Sequence, residues 1–183
     1  MLSTRDLVRI ALFAALIALL GLIPKFDLPF TAGVPITAQT LGVMLAGLIL
    51  GARNGLLSVL LLLFVVALGA PVLSGGRGGL AVFFGPTVGF LVGWALGAWV
   101  CGAIFAGLRR HWPDKTFLTA LIAAALGGIV AIYACGIPVL ALIAKMPIEK
   151  AALVSLIFVP GDLIKAAIAA WLATRILAVR PLD

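Results

Sequence analysis

Two charged residues near the end of the chain stand in an apolar stretch, within the segment Pro160-Gly161-Asp162-Leu163-Ile164-Lys165. Asp162 and Lys165 are three residues apart, so they share one face of a helix. The apolar run from Ala166 to Ala173 that follows is typical of a membrane span. Charges near lipid are costly unless they are paired or face a cavity, so the pair predicts a binding site. The alternative is a buried ion pair that only fixes the helix.

Arg77 is a second candidate, because it stands between two glycine pairs in the run Gly75-Gly76-Arg77-Gly78-Gly79. Glycines let a ligand approach the backbone, and a guanidinium group suits a carboxylate. The sequence has no GxxxxGK[ST] pattern, so this loop is not an ATP-binding P-loop. The alternative is a flexible loop that carries an idle arginine.

Four further side chains are candidates for the same site. Thr37 suits the N-cap of a helix, and Gln39 in the first turn can face a cavity, with capping alone as the alternative. Phe90 follows the helix opening Gly85-Pro86-Thr87 and offers an apolar wall. Tyr133 lies near the predicted outer end of the fifth helix.

Other classes of function find little support in the residues. We predict no enzyme, no cofactor and no metal site, because the sequence shows no serine with a histidine partner, no ligand cluster and no paired carboxylates. A membrane enzyme with Asp162 as general base, or a structural protein without a ligand, are the alternatives. The net charge of +7 reflects basic residues at the cytoplasmic ends of helices and does not indicate nucleic acid as a partner.

The composition requires a membrane. The chain has 183 residues, of which 64% are hydrophobic and 10% charged, whereas globular proteins are about 25% charged. We expect a single all-α transmembrane domain over residues 1–183. Apolar runs and their breakers predict six spanning helices, at about residues 7–23, 37–50, 56–70, 85–108, 116–136 and 160–179.

Residues 137–159 are apolar but carry two prolines and three charges. We interpret this stretch as an outer interfacial segment that lies over the ends of the bundle. The alternative is that it extends the fifth and sixth helices.

The distribution of lysine and arginine predicts that both termini lie inside the cell. With that orientation the inner side holds eight basic residues and the outer side four. The inner set is Arg5, Arg9, Arg53, Arg109, Arg110, Lys115, Arg175 and Arg180, and the outer set is Lys25, Arg77, Lys145 and Lys150. The first loop, the glycine-rich loop and the Asp162/Lys165 pair then meet on the outer side, as a pocket for an external ligand requires.

The first helix carries alanines four residues apart, at Ala11 and Ala15 and at Ala14 and Ala18. Small residues at this spacing give a smooth stripe for close helix contact. The contact is with another subunit or with helices of the same bundle.

Four segments occur in an order and spacing that resemble the BioY family, the biotin-binding S components of energy-coupling-factor (ECF) transporters. The likeness covers nearly the whole chain. The segments are Val34-Pro35-Ile36-Thr37-Ala38-Gln39-Thr40-Leu41-Gly42, Gly75-Gly76-Arg77-Gly78-Gly79-Leu80, Gly85-Pro86-Thr87 and Pro160-Gly161-Asp162-Leu163-Ile164-Lys165.

The resemblance implies a six-helix S-component fold that captures biotin from outside and carries it across the cytoplasmic membrane. It implies a transmembrane coupling subunit and two ATP-binding subunits as partners in the lipid bilayer, and it assigns Ala11, Ala15 and Ala18 to docking on the coupling subunit. Asp162 would accept from a ureido N–H. Lys165 would donate to the ureido carbonyl or orient Asp162.

Two alternatives within transport stay open. One is an S component for another vitamin, such as thiamine or riboflavin, which would require several aromatic residues around the ligand. Trp94, Trp99 and Trp112 are predicted to lie mid-membrane or on the inner side, which disfavours such ligands. The other is a solitary biotin carrier that works without ATPase partners.

Overall fold

Seven α-helices make up the part of the chain that a computed structural model describes, residues 2–24, 34–35 and 37–179. They are α1 Thr4–Leu20, α2 Gln39–Ala67, α3 Val88–His111, α4 Thr116–Ala125, α5 Ile132–Ile143, α6 Ile148–Leu156 and α7 Val159–Val179. A 3-10 helix, Leu80–Phe84, precedes α3, and a π-helical turn, Leu126–Ala131, joins α4 to α5. Most of the first loop, together with Lys25 and Arg180 of the charge count, lies outside the described residues.

Helix α2 turns sharply at Gly51, where φ is 78° and ψ is 177°. In a straight helix, residues nine positions apart are separated by about 13.5 Å. A Cβ atom built on Gly55 would nevertheless lie 2.9 Å from the carbonyl oxygen of Ala46. The two arms, residues 39–50 and 52–67, therefore fold back on each other near the turn. The sequence predicted a loop over residues 51–55, whereas one glycine suffices, because this backbone region is essentially restricted to glycine.

Helices α4 and α5 and the π-helical turn form one continuous helix, Thr116–Ile143. The prediction that this helix ends at Gly136 is therefore wrong, and residues 137–143 belong to the span. Pro138 stands inside it. Proline is tolerated here because lipid offers the backbone no other partners, so the surrounding helix is retained.

The remainder of the predicted interfacial segment is a turn followed by α6. Lys145 in the turn has a positive φ of 51°, and α6 then meets α7 at an angle of 53°. The stretch 137–159 is thus divided between two helices and does not form one interfacial segment.

Three helices are long and apolar enough to cross a membrane, namely Gln39–Ala67, Val88–His111 and Thr116–Ile143, with mean hydropathies of 2.1, 1.9 and 2.3. The bent pair of α6 and α7 is a fourth candidate. If the arms of α2 are counted separately and α4–α5 and α6–α7 as one helix each, the described residues form six helices. The all-α bundle expected from the sequence is confirmed.

Helix α7 packs on α2 and α4 through a stripe of small residues. Ala166, Ala169, Ala170 and Ala173 are all fully buried, and their spacing places them on one helix face. Small residues allow the helix backbones to approach closely. Asp162 lies on the same face one turn earlier, so the packing of α7 carries its carboxylate into the bundle.

The turn at Gly51 generates a stability prediction. A Cβ at Gly51 meets no atom within 4 Å, so Gly51→Ala is penalised by its backbone conformation alone, by about 1–3 kcal/mol. Gly107 in α3 also has no atom within 4 Å of a built Cβ. Because Gly107 is helical, Gly107→Ala should be neutral or stabilise by up to about 1 kcal/mol. Thermal unfolding in detergent measures both, and equal melting temperatures for the two variants would contradict the assignment of strain to Gly51.

Candidate ligand-binding site

A cavity opens at the end of the bundle where α2 and α7 begin. It holds about 590 Å³ of empty space, counted to its open mouth. Its walls come from the first turns of α2, α3 and α7, from the loop between α2 and α3, and from α5. All seven predicted site residues line it, namely Asp162, Lys165, Arg77, Gln39, Thr37, Phe90 and Tyr133.

The ammonium group of Lys165 joins the beginnings of α2 and α7. Its Nζ donates to Asp162 Oδ1 at 2.6 Å, to the carbonyl oxygen of Thr37 at 2.8 Å and to Thr40 Oγ1 at 2.9 Å. An ammonium group has three N–H donors, so these bonds use the whole set. Of the two predicted roles for Lys165, the geometry favours orienting Asp162 over donating to a ligand.

Asp162 is 4% exposed, and its carboxylate accepts three hydrogen bonds. Oδ1 accepts from Lys165 and from Thr40 Oγ1, the latter at 3.2 Å, and Oδ2 accepts from the Tyr133 hydroxyl at 2.6 Å. A carboxylate offers about four acceptor positions. One position on Oδ2 is therefore left for an N–H group of a ligand.

Tyr133 is the second residue of α5 and lies two positions after the end of the π-helical turn. Such turns are rare and occur frequently at functional sites. Its ring meets that of Phe90 edge to face, with the centroids 6.2 Å apart and the planes at 81°. Because α5 continues to Ile143, Tyr133 lies well inside the span, and the prediction that it marks the outer end of the helix is wrong.

Gln39 is fully buried and ties three segments together. Its Nε2 donates to the carbonyl oxygens of Ile17 at 3.1 Å and Val72 at 3.2 Å, and its Oε1 accepts from the backbone N–H of Ser74 at 2.9 Å. Its own N–H donates to Thr37 Oγ1 at 3.1 Å. Gln39 therefore holds the cavity wall together. The prediction that Thr37 is the N-cap residue is wrong, because Ala38 occupies that position, and the Thr37 hydroxyl instead accepts from the first residue of α2.

Arg77 closes an ordered turn in the glycine-rich loop. Leu73 and Arg77 exchange backbone hydrogen bonds of 3.0 and 3.2 Å, and glycines 75 and 76 between them have positive φ angles of 80° and 69°. The guanidinium Nε donates to the carbonyl oxygen of Ser74 at 3.2 Å, and Nη1 donates to Thr87 Oγ1 at 3.3 Å. The loop is thus held by hydrogen bonds at both ends and through its arginine.

Sequence reasoning missed much of the aromatic wall. Trp94 is 5% exposed and lines the cavity, as does Phe158 at the junction of α6 and α7. Trp94, which the sequence placed mid-membrane or on the inner side, is thus available to a ligand. With Phe90 and Tyr133 the cavity has four aromatic residues, so the argument that it lacks them fails. The signal was present, because Phe90 and Trp94 are four residues apart and share a face of α3.

Three hydroxyl residues of the wall were also missed, namely Thr40, Ser74 and Thr87. All three are buried. Nothing in their local sequence separates them from the serines and threonines that bond their own helix, as Ser155 does with the Ala151 carbonyl oxygen.

The alanine stripe of α1 divides between two environments. Ala11 and Ala15 are exposed, Ala14 is buried, and Ala18 is half-buried against the core. Two of the three predicted docking residues therefore face away from the bundle, and the third packs partly within it.

Residues 1–181 match the model of the BioY family. The chain belongs to the BioY family. The resemblance carried by the four sequence segments is thereby confirmed. This BioY chain is 53% identical to the biotin transporter BioY of Rhizobium etli, over 98% of this chain and 97% of that protein. It is 46% identical to the biotin transporter BioY of Rhodobacter capsulatus, over 97% of this chain and 95% of the relative.

A solved structure shares the fold. It is the crystal structure of the S-component for biotin from an ECF-type ABC transporter, with a TM-score of 0.89, 30% sequence identity, and coverage of 96% of this BioY chain and 94% of the other. The relatives are named as transporters. Within the described residues of this BioY chain, no group of three or more His, Cys, Asp or Glu could hold a metal ion.

The network around Lys165 generates a second prediction. Lys165→Met leaves the buried Asp162 carboxylate without its cation and should destabilise the protein by about 3 kcal/mol or more. Adding Asp162→Asn to that variant removes the unpaired charge and should recover most of the loss. Lys150→Met, at an exposed lysine of α6, is the matched control. Unfolding in detergent is measured for the wild type, for Lys165→Met and Asp162→Asn singly, for the double variant and for the control, and strictly additive losses in the double variant would contradict a direct coupling of the two charges.

Proposed function

We propose that this protein captures biotin at the outer face of the cytoplasmic membrane, as the S component of an ECF-type ABC transporter. The observation that carries the proposal is the division of the cavity into a buried, fixed carboxylate and an aromatic wall. Membership of the BioY family and the likeness to a biotin S-component support it. Biotin is then the transported ligand and not a cofactor.

The ureido ring of biotin suits the Asp162 end of the cavity. That ring carries two N–H donors and a carbonyl acceptor, and Oδ2 of Asp162 retains one acceptor position. The three N–H donors of Lys165 are all bonded to fixed partners, so its task is to hold the carboxylate of Asp162 in one orientation. The ligand thus meets an acceptor whose position is set before binding, which lowers the entropic cost of association.

The apolar parts of biotin suit the aromatic wall. Phe90, Trp94 and Phe158 line the cavity, and they would cover the sulfur-containing ring and the methylene chain. Burial of apolar surface here would supply the non-directional part of the affinity. Four aromatic residues would also accommodate flatter ring systems, so thiamine and riboflavin belong in the binding test as competitors.

The decisive test of the site is Asp162→Asn. The variant replaces a charged acceptor by a neutral group that presents N–H donors as well, so biotin affinity should fall by roughly 100-fold or more. Isothermal titration of the detergent-purified protein with biotin measures this.

Asp114→Asn, at an exposed carboxylate in the turn before α4, provides the matched control and should bind like the wild type. Near-normal biotin affinity in a monodisperse Asp162→Asn sample would remove Asp162 from the site. Tighter binding of thiamine or riboflavin than of biotin by the wild type would replace the proposed ligand.

With both termini inside the cell, as we propose, the cavity would lie at the outer face. Arg109 and Arg110 end α3 at the opposite end of the bundle, beside the turn at Gly51. Basic residues favour the cytoplasmic side. In this orientation biotin enters from outside, and its release inside requires the bundle to reorient in the membrane.

A coupling subunit would supply that movement, with ATP hydrolysis in two further subunits. We propose that the exposed alanines of α1, Ala11 and Ala15, form the contact with the coupling subunit. Small side chains on a lipid-facing surface allow another helix to approach closely. Ala18, which is half-buried, would contribute at the edge of this contact.

The docking proposal predicts that a substitution on α1 can abolish assembly with the partner subunits without affecting biotin binding. Ala11→Leu combined with Ala15→Leu should abolish co-purification with the coupling subunit and the ATP-binding subunits while leaving biotin affinity unchanged, because larger side chains hold the helices apart. Ala134→Leu, at an exposed alanine of α5, is the control and should not affect assembly. Normal co-purification of the double variant would exclude this face as the contact.

A further inference from the structure

The hydroxyl of Ser74 is the one buried side-chain oxygen or nitrogen, among the residues described, that has no hydrogen-bond partner. Ser74 is 1% exposed and lines the cavity. Its backbone is fully engaged, because the N–H donates to Gln39 Oε1 and the carbonyl oxygen accepts from Arg77 Nε. A buried hydroxyl without a partner is destabilising. Its position at the wall of a binding cavity points to a partner supplied by the ligand.

Ser74 and Asp162 occupy different walls of the cavity. Gln39 holds the backbone of Ser74, and the next residue, Thr40, donates to the Asp162 carboxylate. Successive residues of a helix point about 100° apart. The first turn of α2 therefore sets both groups in place and keeps them separated, so that a ligand with polar groups at its two ends can reach both.

The charge differs between the two walls. The guanidinium group of Arg77 adjoins Ser74 and bonds Thr87, whereas the other wall presents the carboxylate of Asp162. An anionic group of a ligand finds no unused donor at the Asp162–Lys165 pair, because the three ammonium hydrogens are engaged, and it is stabilised beside Arg77. N–H donor groups of a ligand are favoured beside the carboxylate of Asp162 and disfavoured beside the guanidinium group of Arg77.

We propose that Ser74 donates its hydroxyl hydrogen to the carboxylate of the bound ligand and thereby selects for an acid at the end remote from the N–H donors. The inference rests on the proposed function, in which the ligand is biotin and the acid is its valerate group. Ser74 is then a specificity-determining residue of the cavity.

The test compares biotin with biotinamide, in which a neutral amide of similar shape replaces the carboxylate. Wild type should prefer biotin. Ser74→Ala should weaken biotin binding roughly 10-fold or more and biotinamide binding much less, so that the preference between the two ligands narrows. Ser74→Cys, which keeps a weak donor of similar size, should give intermediate values. Isothermal titration of each purified protein with each ligand gives the ratios.

Two controls separate a ligand contact from a structural role. Ser155→Ala removes a buried hydroxyl that is bonded to the Ala151 carbonyl oxygen, and it should leave both affinities unchanged while lowering the melting temperature. Ser74→Ala without ligand should melt at the wild-type temperature or above, because it removes an unsatisfied polar atom.

The outcomes also distinguish this inference from the function on which it rests. Unchanged biotin affinity in Ser74→Ala, or equal losses for biotin and biotinamide, would overturn the role of Ser74 while leaving biotin capture intact. A wild-type protein that binds neither ligand would overturn both.

Discussion

The ammonium group of Lys165 is the interaction on which the site depends. It joins Asp162 on α7 to the carbonyl oxygen of Thr37 and the hydroxyl of Thr40 at the start of α2, helices that are more than a hundred residues apart in sequence. Inside a membrane no water replaces a lost partner, so a charge is retained only where every bond is made. The alanine stripe of α7 brings Asp162 to this place, and Lys165 makes its burial tolerable.

The first turn of α2 extends the same frame to the rest of the cavity. Gln39 fastens the end of α1 and the loop after α2 to the helix that Lys165 holds, and Arg77 then connects that loop to Thr87 before α3. The polar groups of the site thus restrain one another through bonds within the chain. Such preorganisation is what high-affinity sites use to limit the cost of binding.

The sequence alone predicted those features of the molecule that the lipid environment requires. The charged pair of α7 stands out because charges are costly in lipid. The apolar runs stand out because helices that span lipid must be apolar, and the glycine-rich loop stands out because it interrupts them. The sequence placed residues 137–143 outside the fifth helix, because a proline such as Pro138 usually breaks a helix in a water-soluble protein. The spacing of Trp94 from Phe90 was a usable signal that the sequence reasoning overlooked, whereas Ser74 could not be ranked by residue type, since its role depends on which neighbours the fold brings to it.

The π-helical turn before Tyr133 holds one residue more per turn than an α-helix does. Deleting one residue from Leu126–Ala131 would therefore let the stretch return to ordinary α-helical winding without rotating the helix beyond it. Tyr133 and Ile132 would keep facing the cavity, although the widened turn would be lost. A shorter chain with an unbroken α-helix in this place can thus carry the same cavity, so a one-residue alignment gap there is no sign of a different site.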